Sequence, residues 1–202
     1  MRLCVFLLCL FLTTCAAAEP ADSHDPLAAV IEVSRKYQVL PNNTYRVVQG
    51  RELKLDVFRP RKDGPLLPVM VYIHGGGWVS HDKERATLHT LPFLARDHVV
   101  FNIDYRVGKG TAPAGVEDCF CALKWIRAHA AEFRADGASV VVMGHSAGGH
   151  LALMMGVGKD NGACPGPLPV VRAVVNWFGI SDVRDVYEGA NSQQYAREWL
   201  EG

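Results

Sequence analysis

The stretch Gly144-His145-Ser146-Ala147-Gly148 sets a serine midway between two glycines, directly after the apolar run "SVVVM" and directly before the helix-forming "GGHLALMMG". A serine hydroxyl is a weak nucleophile near neutral pH, so acyl transfer at Ser146 would need a base, a group that orients the base, and donors for the developing oxyanion. The order strand, serine, helix is the context in which a sharp turn holds a nucleophilic serine in strained backbone geometry, with small residues on either side to permit it. A serine that merely caps a helix would satisfy the five letters alone. The flanking strand and helix patterns favour the nucleophile.

A second cluster, "YIHGGGW", closes an earlier apolar run with three successive glycines before Trp78. Glycines can turn backbone N–H groups toward one point, and such a nest stabilises an oxyanion. Gly75, Gly76 and Gly77 supply such glycines here. The N–H of Ala147, in the first turn of the helix after the serine, adds a donor with the helix dipole behind it. A phosphate-cradling loop is the competing reading of the glycines, but no Lys-Ser or Lys-Thr pair follows them.

The base is harder to find. No histidine follows His150. His150 stands one helical turn beyond Ser146 and is expected to pack rather than to accept a proton. The His145 side chain should diverge from its neighbour at a tight turn, and His81 and His89 are expected in solvent. Asp182 follows the last apolar run, where it reads as the cap of the next segment. No histidine, cysteine and carboxylate set has metal-ligand spacing, and no cofactor is expected.

Elements able to position these groups follow from the apolar patterning. "AVIEVSRKYQV" suggests a short helix, and "TYRVVQGRELKLDVFRP" reads as two alternating strands folded at Gln49-Gly50. The pattern then changes to near-continuous runs, "PVMVYIH", "VVFNID", "SVVVMG" and "VVRAVVNWF", expected as parallel strands buried on both faces. Between them, Val116, Cys119, Phe120, Leu123, Ala130 and Phe133 fall at helical spacing, with Glu117, Lys124 and Arg127 on other faces. The result is an α/β class, with an antiparallel hairpin at one sheet edge. "DNGACPGPLP" reads as a surface loop and Asn42-Asn43-Thr44 as a turn. In a eukaryotic secretory pathway the latter would also be a glycosylation acceptor.

Twenty-one basic and twenty-one acidic residues among 202 leave a formal charge of zero, so no global field draws the chain to nucleic acid. Arg2, the apolar run Leu3 to Leu12 and Ala16-Ala17-Ala18 form an expected signal peptide over residues 1–18. Its apolar run is too short for a stable membrane span, so the mature protein, residues 19–202, is expected to be secreted or periplasmic. Cys119, Cys121 and Cys164 lie beyond the leader. An odd number leaves at least one unpaired within the chain, a bridge from Cys164 to either partner is open, and small buried hydrophobes are the plainer expectation.

With these residues in view, the chain resembles α/β-hydrolase esterases of the BD-FAE-like and hormone-sensitive-lipase-like type. The resemblance rests on "GRELKLDVFRP", "VYIHGGGWVSHDK", "NIDYRV", "PAGVEDCFCALKWIRAHAAEF", "GHSAGGHLAL" and "VVNWFGISDV". It implies an α/β-hydrolase fold, Ser146 as nucleophile, and Gly76, Gly77 and Ala147 as oxyanion donors. His74 would brace the glycine loop, and Asp104, Tyr105 and Arg106 would be structural. The implied activity is hydrolysis of carboxylic esters, acetyl or feruloyl esters of polysaccharide or small esters among them. In this fold the acid and the histidine of the triad follow the serine on later loops. The expectation is therefore an α/β-hydrolase domain over residues 19–202, truncated after the sixth strand, or else a binding protein that lacks the base.

Overall fold

The computed structural model describes residues 26–202; the expected leader, residues 1–18, lies outside them. A first helix, α1 (Pro26–Lys36), leads into the hairpin of β1 (Tyr37–Val48) and β2 (Arg51–Pro60). The hairpin turns at Gln49 and Gly50, whose φ of 51° and 78° suit the tight turn that matches strand twist. Pro41 and Asn42 form a bulge inside β1, in place of the turn expected at Asn42-Asn43-Thr44. Asn42 adopts a φ of 60°, and its N–H donates to Asp56 Oδ1 at 2.8 Å. That carboxylate takes up a donor which the interrupted ladder leaves free.

The remaining strands are β3 (Leu67–Ile73), β4 (Val99–Ile103), β5 (Ala135–His145) and β6 (Val170–Trp177). The sheet order is β1-β2-β4-β3-β5-β6. β1, β2 and β4 pair antiparallel, and β4, β3, β5 and β6 pair parallel. Alternation along β3 sends Val69, Val71 and Ile73 into the larger of two cores and Met70 and Tyr72 into the other. The larger core packs under α3 (Ala114–His129) and α4 (Ala147–Val157); the smaller lies on the opposite face against α1, a 3-10 helix (Lys83–Thr90) and the short α2 (Leu91–Leu94). The hairpin edge and the alternating strands and helices follow the expected architecture.

Three features depart from expectation, each for a tertiary reason. β6 is an edge strand, with Val170 58% and Val175 40% exposed, because no described strand pairs with its outer side. Its apolar run marks a strand but not a buried one. Lys124 is buried on α3 instead of lying on a solvated face: Nζ reaches Asp160 Oδ2 at 2.6 Å and the carbonyl of Cys164 at 2.6 Å. Those two acceptors allow an ammonium to leave water. Finally, Cys121 and Cys164 form a disulfide that ties α3 to the loop before β6, so only Cys119 is the small buried hydrophobe expected of all three. After β6 come α5 (Val183–Tyr187) and α6 (Gln194–Glu201). Asp182 caps α5 by accepting from Arg184 N at 2.9 Å, as the sequence suggested.

Candidate active site

Parallel strands bring their C-terminal ends to one rim, and the loops that leave β3, β4 and β5 meet there. At the end of β5, Ser146 has φ 53° and ψ −124°, a left-handed backbone that a non-glycine residue rarely adopts. Its N–H donates to Trp177 O at 3.2 Å and its carbonyl accepts from His150 N at 3.2 Å, so strand and helix together hold the turn.

The two glycine motifs touch. A Cβ on Gly148 would stand 2.2 Å from Ile73 O and 2.4 Å from His74 O, so the first turn of α4 rests directly on the backbone at the end of β3. Gly76 and Gly77 adopt φ of 112° and 59°. The Gly76 carbonyl accepts from Val79 N at 3.2 Å and Ser80 N at 3.1 Å. Among the described residues nothing accepts from the N–H groups of Gly76, Gly77 or Ala147. Three free donors thus belong to segments in contact beside Ser146.

Histidines frame this rim without reaching the serine hydroxyl. His74 is buried and stacked on Tyr105, with ring centroids 4.4 Å apart, and its Nδ1 pairs with Gly75 O at 2.7 Å. Burial lowers its pKa to about 4, so the ring is neutral near pH 7. Asp104 Oδ1 lies 3.6 Å from His74 Nε2, too far for a hydrogen bond, and next to an uncharged ring it forms no ion pair. Asp104 instead accepts from Lys83 N at 2.8 Å, and burial raises its pKa to about 6. Tyr105 donates from its hydroxyl to His74 O at 3.1 Å. Arg106 clamps the buried Asp118, with Nε to Oδ2 at 2.8 Å and Nη2 to Oδ1 at 2.9 Å. His74 thus packs against the glycine loop, and Asp104, Tyr105 and Arg106 are tied into the surrounding structure, as the resemblance implied.

His150 packs as expected, edge-on to Trp78 at 5.3 Å, and burial lowers its pKa to about 4. His81 is exposed. His89 is only partly exposed: the Tyr72 hydroxyl lies 2.8 Å from its Nδ1 and 2.9 Å from Nδ1 of His145, because the 3-10 helix folds back over β3. The His145 side chain does diverge from Ser146, toward that hydroxyl. No described side chain makes a hydrogen bond with the Ser146 hydroxyl. Among the described residues no group of three or more His, Cys, Asp or Glu is set to hold a metal.

Sequence reasoning missed α6. Trp199 stacks on Trp78 with centroids 4.4 Å apart, and Tyr195 lies against Gly77. Trp78, Trp199 and His150 are nine-tenths or more buried, yet Trp78 Nε1, Trp199 Nε1 and His150 Nδ1 have no hydrogen-bond partner among the described residues. The only sequence signal was a pair of aromatics four apart on a short amphipathic segment.

The BD-FAE family model matches residues 55–202, from the second strand of the hairpin through α6. The chain belongs to the BD-FAE family. Its α/β-hydrolase fold is shared with the native structure of a thermophilic esterase, Est2, of Thermogutta terrifontis, at TM-score 0.65 and 27% identity over 83% of this chain and 62% of that one. Carboxylesterase NlhH of Mycobacterium tuberculosis is 38% identical over 107 residues, 49% of this chain and 32% of that enzyme. The versiconal hemiacetal acetate esterase of Dothistroma septosporum is 31% identical over 139 residues, 64% of this chain and 42% of that enzyme. The BD-FAE chain therefore spans less than half the length of these two curated relatives.

Proposed function

We propose that this chain is a carboxylic-ester hydrolase that works through an acyl-enzyme at Ser146. Ser146 Oγ attacks the ester carbonyl carbon while a base takes the hydroxyl proton. The carbonyl π electrons move onto oxygen, and the N–H groups of Gly76, Gly77 and Ala147 hold the resulting oxyanion. Collapse breaks the bond to the alcohol oxygen, which leaves with a proton, and water then releases the acid. One observation carries the reading: a left-handed Ser146 at a strand-to-helix turn whose helix rests on a loop with unsatisfied amides. Esterase relatives support the ester as substrate class. We further propose that the base and its acid partner lie outside residues 26–202, since no described side chain makes a hydrogen bond with the Ser146 hydroxyl.

Acetyl or feruloyl esters of polysaccharide, or small esters, are the proposed substrates, and export through the 1–18 leader is the proposed route. The Cys121–Cys164 disulfide supports an oxidising compartment. No helix among the described residues is long and apolar enough to cross a membrane. The unpartnered Ser146 hydroxyl favours a second reading, a protein that binds esters without turning them over. Incubation with an ethyl fluorophosphonate in the presence of the polypeptide that supplies the base, followed by peptide mass spectrometry, tests the first: the adduct is expected on Ser146, lost in Ser146→Ala and far slower on residues 26–202 alone. No adduct at a hundredfold excess of reagent would sink the nucleophile and leave the binding reading.

A further inference from the structure

We infer that α6 sets the geometry of the glycine loop, with Trp199 and Tyr195 as positioning residues that act through Trp78 and Gly77. The inference rests on the reading of that loop as an oxyanion cradle, and it adds the element that holds the cradle still. Successive glycines have broad φ/ψ freedom, so their N–H groups keep one direction only if contacts outside the loop fix them.

The contacts are specific. Trp78 O accepts from Gly108 N at 3.1 Å, which anchors the loop's backbone downstream of Gly77. The Trp78 ring is held edge-on by His150 of the nucleophile's own helix at 5.3 Å and covered on its face by Trp199 at 4.4 Å, the two indoles inclined by only 14°. Trp78 therefore links the glycine loop to the helix that follows Ser146, and α6 supplies one wall of its cage. The outer side of Gly77 belongs to Tyr195 as well: the three atoms nearest to where a Cβ would stand are its Cγ, Cβ and Cδ2, at 2.8, 2.9 and 3.1 Å. At a φ of 59° no steric barrier of its own keeps Gly77 in place, and the tyrosine ring supplies one.

α6 is in turn fastened to the segment before α3. Glu198 O accepts from Gly110 N at 2.8 Å, Trp199 O accepts from Ala112 N at 3.2 Å, and Lys109 Nζ lies 3.4 Å from Glu198 Oε1. Only Ala196 and Trp199 of α6 are buried, and α5 before it buries nothing. The helix is thus a strap whose aromatic side chains, Trp199 against Trp78 and His150 and Tyr195 against Trp78 and Gly77, face the glycine loop, with two backbone hydrogen bonds and an ion pair to the segment before α3.

Amide hydrogen exchange on the full chain, read by mass spectrometry, tests this independently of any chemistry at Ser146. The reporters are Val79, Ser80 and Gly108, whose N–H groups fasten the loop, and Gly110 and Ala112, which report docking of α6. Trp199→Ala should speed exchange at all five by tenfold or more while β3 and β5 stay protected, Trp199→Phe should restore most of the protection, and Tyr195→Ala should loosen Val79 and Ser80 alone. Unchanged exchange at Val79 and Ser80 once Gly110 and Ala112 have loosened would overturn the proposal. So would a uniform loss across the sheet in both Trp199→Phe and Tyr195→Ala, the mark of a merely fold-holding contact. In parallel, with the base-bearing polypeptide present, fluorophosphonate labelling of Ser146 should slow about tenfold in Trp199→Ala. A wild-type protein left unlabelled under that condition, with the exchange pattern above, would sink the nucleophile and keep the strap.

Discussion

Gly148 and the carbonyl of His74 meet with no room for a methyl group between them. A Cβ there would stand 2.4 Å from that oxygen and 2.2 Å from Ile73 O, both of them backbone atoms that cannot rotate away. Gly148→Ala should therefore drive α4 off the end of β3, cost about 2 kcal/mol or more of unfolding free energy, and abolish labelling of Ser146. Urea titration gives the first quantity and mass spectrometry the second; a normal midpoint with normal labelling would contradict the packing.

The buried Asp118 carries two arginines. Arg46 Nη1 pairs with its Oδ1 at 2.5 Å, and Arg106 reaches it from backbone N, Nε and Nη2. Asp118→Asn keeps the shape and removes the charge, so Arg46 loses its counter-ion and Arg106 keeps only Glu117 Oε2, 3.3 Å from its Nη2, in a largely desolvated place. The expected loss is about 3 kcal/mol, visible as a lower urea midpoint. An Asp118→Asn protein as stable as the parent would show that the clamp contributes nothing net.

The Cys121–Cys164 bridge closes a loop with a sequence separation of 43, for which restriction of the unfolded chain contributes about 4 kcal/mol at most. Cys164→Ser should lower the melting temperature markedly and make it insensitive to reductant. Cys119→Ser should leave the response to reductant as it is in the parent. Equal melting of the oxidised and reduced parent protein would contradict the assignment.

Acid should unfold this protein early. His74 and His150 titrate near 4 when folded, against 6.5 as the ordinary value, so the unfolded chain holds more protons between those limits. Stability present above pH 6.5 is then lost as pH falls toward 4. Asp104, raised to about 6, runs the other way: its contribution is greatest in acid and fades as pH rises through 6. Two groups against one leave a net loss on the order of 3 kcal/mol between pH 7 and 4. His150→Phe should remove most of that limb in denaturant midpoints, because Asp104 then nearly offsets His74 alone; a pH profile identical to the parent's would show that His150 is not depressed.

The outer side of β6 presents Val170, Val175 and Trp177, followed by Phe178 at 68% exposure. An unpaired strand edge with apolar side chains is a template for association. Phe178 also has a φ of 40°, which asparagine tolerates better. Val175→Lys with Phe178→Asn should raise the monomer fraction in light scattering without lowering the melting temperature. Equal aggregation of variant and parent would place the sticky surface elsewhere.

The hairpin was legible because Leu53, Leu55 and Val57 alternate with Lys54 and Asp56 up to a glycine turn, a purely local signal. Ser146 and the glycine loop were legible for the same reason, since each motif sits at a strand end that its own apolar run announces. What stayed hidden depends on groups far apart in sequence. Lys124 is buried only because Asp160 and Cys164 O wait across a loop, and the partner of Cys164 is fixed by where α3 passes. Nothing local in Tyr195 or Trp199 says that the segment after β6 turns back over Gly77 and Trp78.

The Tyr72 hydroxyl has one proton to give and two imidazole nitrogens to satisfy. With no other acceptor among the described residues, it donates to one ring and accepts from the other, so while both rings are neutral His89 and His145 carry opposite tautomers. His145 Nε2 lies 2.8 Å from where a Cβ on Gly75 would stand. A proton that shifts from one side of Tyr72 to the other therefore changes whether the residue beside Ser146 turns an N–H or a lone pair toward the glycine loop.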